Sequence, residues 1–353
     1  MMSARKFACA TSIALLAACH VGDWAAAAQP APGMAVVQRW KLGGTGGWDY
    51  LTLDASGQRL FITHGTRVDV VSTVSGKLVG SIADTQGVHG IALAEDLKRG
   101  FTTNGKADSV TVFDLGTLKT IQETKIAAHN PDAILYEPVG RHLFTFNGKS
   151  KDFTVFDASS LALVATVPLP DKPEFAADDG AGSIYVNIES DPGQMIVIDS
   201  HALQVKAKWP LPGCASPSGL ALDRIHHRLF SVCDGNVMAV TDATSGAQVA
   251  RVPIGEGPDA AAYDAKRGLV YSSNGEGSLT IVRQRSADRY EVASTVRTQR
   301  GARTMAVDPD TGRVYLVTAD FGPTPAPTAE QPHPRPPPTA DSFTVLVLGT
   351  AGP

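Results

Sequence analysis

Seven times along this chain an acidic or small residue is followed seven positions later by an aromatic one. The pairs are Asp54 with Phe61, Ala94 with Phe101, Glu137 with Phe144, Asp178 with Tyr185, Asp223 with Phe230, Asp264 with Tyr271 and Asp308 with Tyr315. Successive pairs start 40 to 45 residues apart. A period of that size marks a supersecondary unit that cannot bury its apolar face alone and must stack on copies of itself. It constrains the fold more tightly than length does, because 353 residues would also suit two ordinary domains.

Each unit reads as four short strands. An apolar strand ("YLTLD", "GIALA", "GLALD") leads through a charged turn to an aromatic-led strand ("RLFITH", "HLFTFN", "RLFSVC"). A third, alternating strand follows ("SVTVFD", "DFTVFD", "QMIVID"), then a tight turn such as "TSG" and a fourth strand such as "AQVARVPI". Four strands per unit of this size make a propeller blade, and no long amphipathic helical pattern interrupts them. The expected fold is all-β: one seven-bladed β-propeller over residues 34–353. The last repeat ends with its third strand, "FTVLVLG" from Phe343, while "MAVVQRWKL", Met34 to Leu42, is left over at the other end. That N-terminal strand is expected to complete blade seven and close the ring, which protects sheet edges that would otherwise invite aggregation. A proline-rich loop over residues 322–341 interrupts blade seven and reads as extended or disordered.

In detail the units resemble the YVTN-repeat β-propeller family, most clearly in "GRHLFTFNGKSKDFTVFDASSL" and "KRGLVYSSNGEGSLTIV". Weaker forms of the pattern fill about residues 48 to 349, and within the family the likeness is to YncE-like periplasmic proteins. Blade four departs from it at "NIESDPGQ", and blade seven lacks the Asn-Gly turn. The resemblance implies a fold and a location. It implies no reaction, because the family shares no single chemistry.

Residues 1–28 read as a secretory signal and linker: Arg5 and Lys6 precede "FACATSIALLAAC", an apolar run too short to span a bilayer. Two cleavage readings stand side by side. Cleavage before Cys19 would give an outer-membrane lipoprotein, the one route to a membrane; cleavage before Gln29 would leave a free periplasmic or secreted protein. Of the four cysteines, only Cys214 and Cys233 lie in the folded part, and in an oxidising compartment a Cys214–Cys233 disulfide is expected, with two buried thiols as the other reading. The chain has 31 basic and 35 acidic residues, a balance that disfavours nucleic acid as a partner. A small molecule or an envelope protein is the expected partner, and the chain is expected to be a monomer.

If strand one of each blade leaves one mouth of the channel and strand two returns to it, the residue before strand one and the end of strand two share that mouth. The first position carries Asp49, His89, Asp132, Glu174, Ser218, Asp259 and Arg303; the second carries His64, Asn104, Asn147, Asn187 with Glu189, Cys233 with Asp234, Asn274 and Thr318. Trp48 and Tyr50 flank the first of these, with packing between blades one and seven as their plainer role. Asp132 and Asp259 also suit turn capping, the Asn-Gly pairs suit positive φ, and Arg303 suits an ion pair with Asp259 or Asp49. His64, His89, Glu174 and Glu189 are not needed for turns, and together they could hold a divalent metal or, through His64 or His89, move a proton. Two functions follow. One is an exported propeller that binds a small ligand, a metal or a partner at this mouth without catalysis. The other is a metal-dependent hydrolase or lyase, similar to propeller lactonases and streptogramin lyases, working at the same place.

Overall fold

The computed structural model describes residues 33–328, 334 and 336–350. Those residues form seven four-stranded antiparallel sheets, with a single 3₁₀ turn at Glu95–Leu97. Each sheet is one blade, running from an inner to an outer strand, and the inner strands begin at Trp48, Val88, Pro131, Lys172, Leu220, Pro258 and Met305. The fold is a seven-bladed β-propeller. The signal, Cys19 and Gln29 lie outside the described residues, as do 329–333, 335 and 351–353 of the chain's later part.

The two members of the repeated pair do different work. The acid stops strand one and shapes the turn. Asp54 accepts hydrogen bonds from the backbone N–H groups of Gln58 and Arg59, Glu137 from Val139 and Gly140, Asp223 from Ile225 and His226, and Asp308 from Asp310 and Thr311. Carboxylates suit this role because they satisfy turn amides that have no strand partner. Where blade two has Ala94 instead, the Glu95–Leu97 turn takes over, and Lys98 ends it in the left-handed region at φ 54°. The aromatic is core: all seven are at most 4% exposed. Each pairs across the ladder with a residue of the inner strand, and in five blades that partner is alanine: Ala92, Ala177, Ala221, Ala262 and Ala306. Ring against methyl lets the narrow inner edge of the blade taper, and burial of each ring contributes roughly 2–3 kcal/mol.

The ring closes as the leftover strand suggested. Met34–Lys41 lies outermost in blade seven, antiparallel to Thr344–Thr350, from Met34 opposite Thr350 to Lys41 opposite Thr344. Trp40 of that strand joins Leu51, Leu60, Tyr315, Phe343 and Val345 in one cluster that welds blade seven to blade one. The proline-rich segment leaves blade seven between Val314–Thr318 and Thr344–Thr350. Its two ends are tied together by Gly322 N–H to the Pro337 carbonyl (2.9 Å) and Thr339 N–H to the Asp320 carbonyl (2.7 Å). Cys214 and Cys233 form a disulfide.

Candidate functional site

Inner strands of five blades start with a β-bulge. The ladder skips between Trp48 and Leu51, Val88 and Ile91, Pro131 and Ile134, Pro173 and Ala176, and Pro258 and Ala260. The residues left unpaired there include Asp49 and Tyr50, His89, Asp132, Glu174 and Phe175, and Asp259. A bulge frees a side chain from strict alternation and re-aims it, and here it turns polar residues into the channel mouth. They line a cavity of about 490 Å³, together with Lys172, Glu189, Ser218 and Arg303.

The floor of this cup is aromatic. Tyr50 of blade one stacks on Phe175 of blade four, ring centroids 4.5 Å apart and 22° from parallel. Blades one and four face each other across a seven-fold ring, so the stack spans the channel. The Tyr50 hydroxyl is buried at this level without a hydrogen-bond partner. Burial, followed by the nearby carboxylates of Asp132 and Asp49, holds its pKa well above the usual value.

Three charged groupings form the wall. His89 Nδ1 lies 2.7 Å from Asp49 Oδ2 and 3.8 Å from Asp132 Oδ1. The imidazole lies against Gly105, where an added Cβ would come within 2.7 Å of the ring. Only glycine leaves room there, which is the work of the "NG" that ends strand two of blade two. Lys172 Nζ sits 2.5 Å from both Glu174 Oε1 and Glu189 Oε2. Arg303 pairs with Asp259 at 3.0 Å, and the Ser218 hydroxyl donates to the same carboxylate at 2.9 Å.

Acids outnumber bases in this cup, and the crowding shifts their pKa values. Burial and then the charge of Asp49 raise Asp132 to about 6, against a partial offset from His89. Burial and then Asp132 raise Glu174 to about 9, although Lys172 pulls the other way. Burial also works against a proton on His89, but the Asp49 hydrogen bond and the charges of Asp132 and Asp49 outweigh it and the pKa is raised. His89, Asp132 and Glu174 therefore all hold their protons to higher pH than such groups ordinarily do. A cation that displaced those protons would relieve the crowding.

Other residues expected at the mouth lie elsewhere. Asn104, Asn147, Asn187 and Asn274 are fully buried. Asn104 donates to Ser109 (3.0 Å) and Thr111 (2.8 Å), and Asn147 to Asp152 (2.6 Å) and Thr154 (3.1 Å). Asn274 donates to Ser278 and Thr280, both at 3.0 Å, and Asn187 reaches the Ser218 carbonyl of the next blade at 2.9 Å. They sit in regular ladder positions, so alternation turns them into the blade. His64 is also fully buried: Nδ1 lies 2.8 Å from Asp69 Oδ2, Arg67 flanks it, and the ring packs on Phe343 at 4.0 Å. His89, Glu174 and Glu189 line the cup, and His64 lies outside it. The donor atoms that do converge belong to Asp49, His89 and Asp132, all within 4.8 Å of one another. Trp48 packs on Phe343 and Phe321 of blade seven and borders a neighbouring cleft. Lys172 was missed; its signal was the "KPE" that opens strand one of blade four.

No protein-family model matches the chain, and no curated protein matches it. Solved structures do. It is similar to hydrazine synthase of Kuenenia stuttgartiensis, with 18% identity and a TM-score of 0.68 over 77% of this chain and 92% of that one. It is similar also to U3-55K, with 9% identity and a TM-score of 0.72 over 88% and 97%. The WD40 repeats of RRP9 match at 10% identity and a TM-score of 0.71 over 91% and 99%. At such identities the likeness is one of fold.

Proposed function

We propose that this chain is an exported, YVTN-like binding propeller whose ligand seat is the acidic cup, and that the cup takes a divalent cation between Asp49, His89 and Asp132. The observation that carries this is the convergence of one imidazole and two carboxylates within 4.8 Å. Ligands about 2.1 Å from a metal are at most about 4 Å apart, so small side-chain rotations would complete the set. A mixed nitrogen and oxygen set suits zinc, manganese and their neighbours. Export is supported by the signal-like first residues and by the disulfide. The same acidity would repel phosphates, which argues against nucleic acid. Isothermal titration of chelator-stripped protein with zinc or manganese should give one site per chain, lost in Asp132→Asn and kept in His64→Ala. No binding of either ion by the wild type would overturn the proposal.

Glu174 favours a second reading, that of a metal-dependent hydrolase or lyase. Raised to about 9, it would keep a proton at neutral pH and could give it to a leaving group. Metal-dependent opening of lactones by the wild type, lost in Glu174→Gln while metal binding survives, would support it. Metal binding without turnover would leave the simple binding role.

A further inference from the structure

Beside the cup lies a larger cleft, about 780 Å³, that shares Arg303, Gly257 and Gly275 with it. One wall is apolar: Trp48, Phe321, Pro336 and Pro338. This wall is built rather than draped. Phe321 and Trp48 have ring centroids 6.0 Å apart, and Phe321 bridges to Pro338 in a short antiparallel pair. Gly301, at φ 80°, lies so close to the Phe321 ring that an added Cβ would fall 2.6 Å from it.

Arg300 also lines the cleft. Its carbonyl accepts a 2.6 Å hydrogen bond from Thr318, and its neighbour Gln299 is tied to the Ala319 carbonyl at 3.3 Å, so the backbone is anchored. The guanidinium itself is exposed and makes no ion pair with a described residue. Two acids share the cleft. Glu276 is engaged by the Ser278 hydroxyl at 2.7 Å, and Glu256 is exposed. A volume of this size accommodates a small organic molecule, and a guanidinium without an ion pair among the described residues, sharing the cleft with an indole, a phenyl ring and two prolines, selects its chemistry.

We propose that this cleft binds a planar aromatic carboxylate, its ring lying on Trp48 and Phe321 and its carboxylate meeting Arg300. The guanidinium fork matches a carboxylate bidentately, while the apolar wall supplies area without charge. Glu256, which lines the same cleft, weakens the field of Arg300 and so tunes affinity for an anion. The site is independent of any cation in the cup.

The test is titration of the full chain in excess EDTA with 2-naphthoate, followed by calorimetry. Wild type should bind, Arg300→Ala should bind about tenfold more weakly, and Glu256→Gln should bind more tightly. Both substituted side chains are exposed, so folding is not at stake. Neutral 2-naphthalenemethanol should show no difference among the three proteins. Equal affinity of wild type and Arg300→Ala for naphthoate would overturn the proposal. So would loss of naphthoate binding in Asp132→Asn, which would place the probe in the cup. Failure of the cup to bind zinc would leave these outcomes unaffected.

Discussion

Replacing Asp132 by asparagine should stabilise the cation-free protein at neutral pH. Its carboxyl is raised from 3.8 to about 6 in the folded state, so the ionised form is disfavoured there. At about 1.4 kcal/mol per pH unit, keeping Asp132 charged costs the fold about 3 kcal/mol at pH 7.5. The sign follows from which state holds the proton. A carboxyl with a raised folded pKa contributes its stability in full below 3.8, and that stability is lost as pH rises through about 6. Asparagine keeps the shape and removes the charge. Equilibrium urea unfolding with EDTA should therefore show Asp132→Asn more stable than wild type by about 3 kcal/mol at pH 7.5, with the gap narrowing by about 2 kcal/mol at pH 4.5. A divalent ion at about a hundred times its dissociation constant should then restore about 2.7 kcal/mol to the wild type and nothing to the variant. A variant no more stable than wild type at pH 7.5 would refute the claim that the cup stores unfavourable negative charge.

Reducing the Cys214–Cys233 bond, or changing both residues to serine, should cost about 3 kcal/mol for a sequence separation of 19; chemical denaturation measures it. Because Ser216 and Asp234 beside this bond line the cup, cation affinity should fall as well. His64→Ala should lower stability by about 3 kcal/mol through a lost buried contact and hydrogen bond with Asp69, without changing cation affinity, as paired unfolding and titration experiments would show. Tyr50→Phe removes a buried hydroxyl that has no partner, and should leave stability unchanged or raise it by about 1 kcal/mol in the same unfolding assay.

The ring was readable because its signals repeat. A buried aromatic seven residues after the end of strand one recurs in every unit, and an acid that caps the turn in all but blade two, while the surplus strand at Met34 could only complete the unit that lacked one. The cup was half readable. Placing Asp49, His89, Asp132, Glu174 and Asp259 at one mouth needed only the direction of each inner strand. Telling them apart from Asn104 or His64 needed the bulges, which depend on how two strands settle their register and leave no mark in residue type. The Tyr50 and Phe175 stack was hidden for another reason: its members are 125 residues apart in sequence, and nothing local says that they meet across the channel.

Blade seven draws its outermost strand from residues 34–41 and the rest from residues 305–350, so the ring has one seam that no peptide bond crosses. Contacts between stretches so distant along the chain carry the largest entropic cost of closure. The two cavities at the mouth straddle that seam: Asp49 and Trp48 belong to blade one, Arg303 and Phe321 to blade seven. A molecule gripping both sides would act as a clasp, coupling occupancy to closure of the ring and shielding the strand at Met34 from proteases.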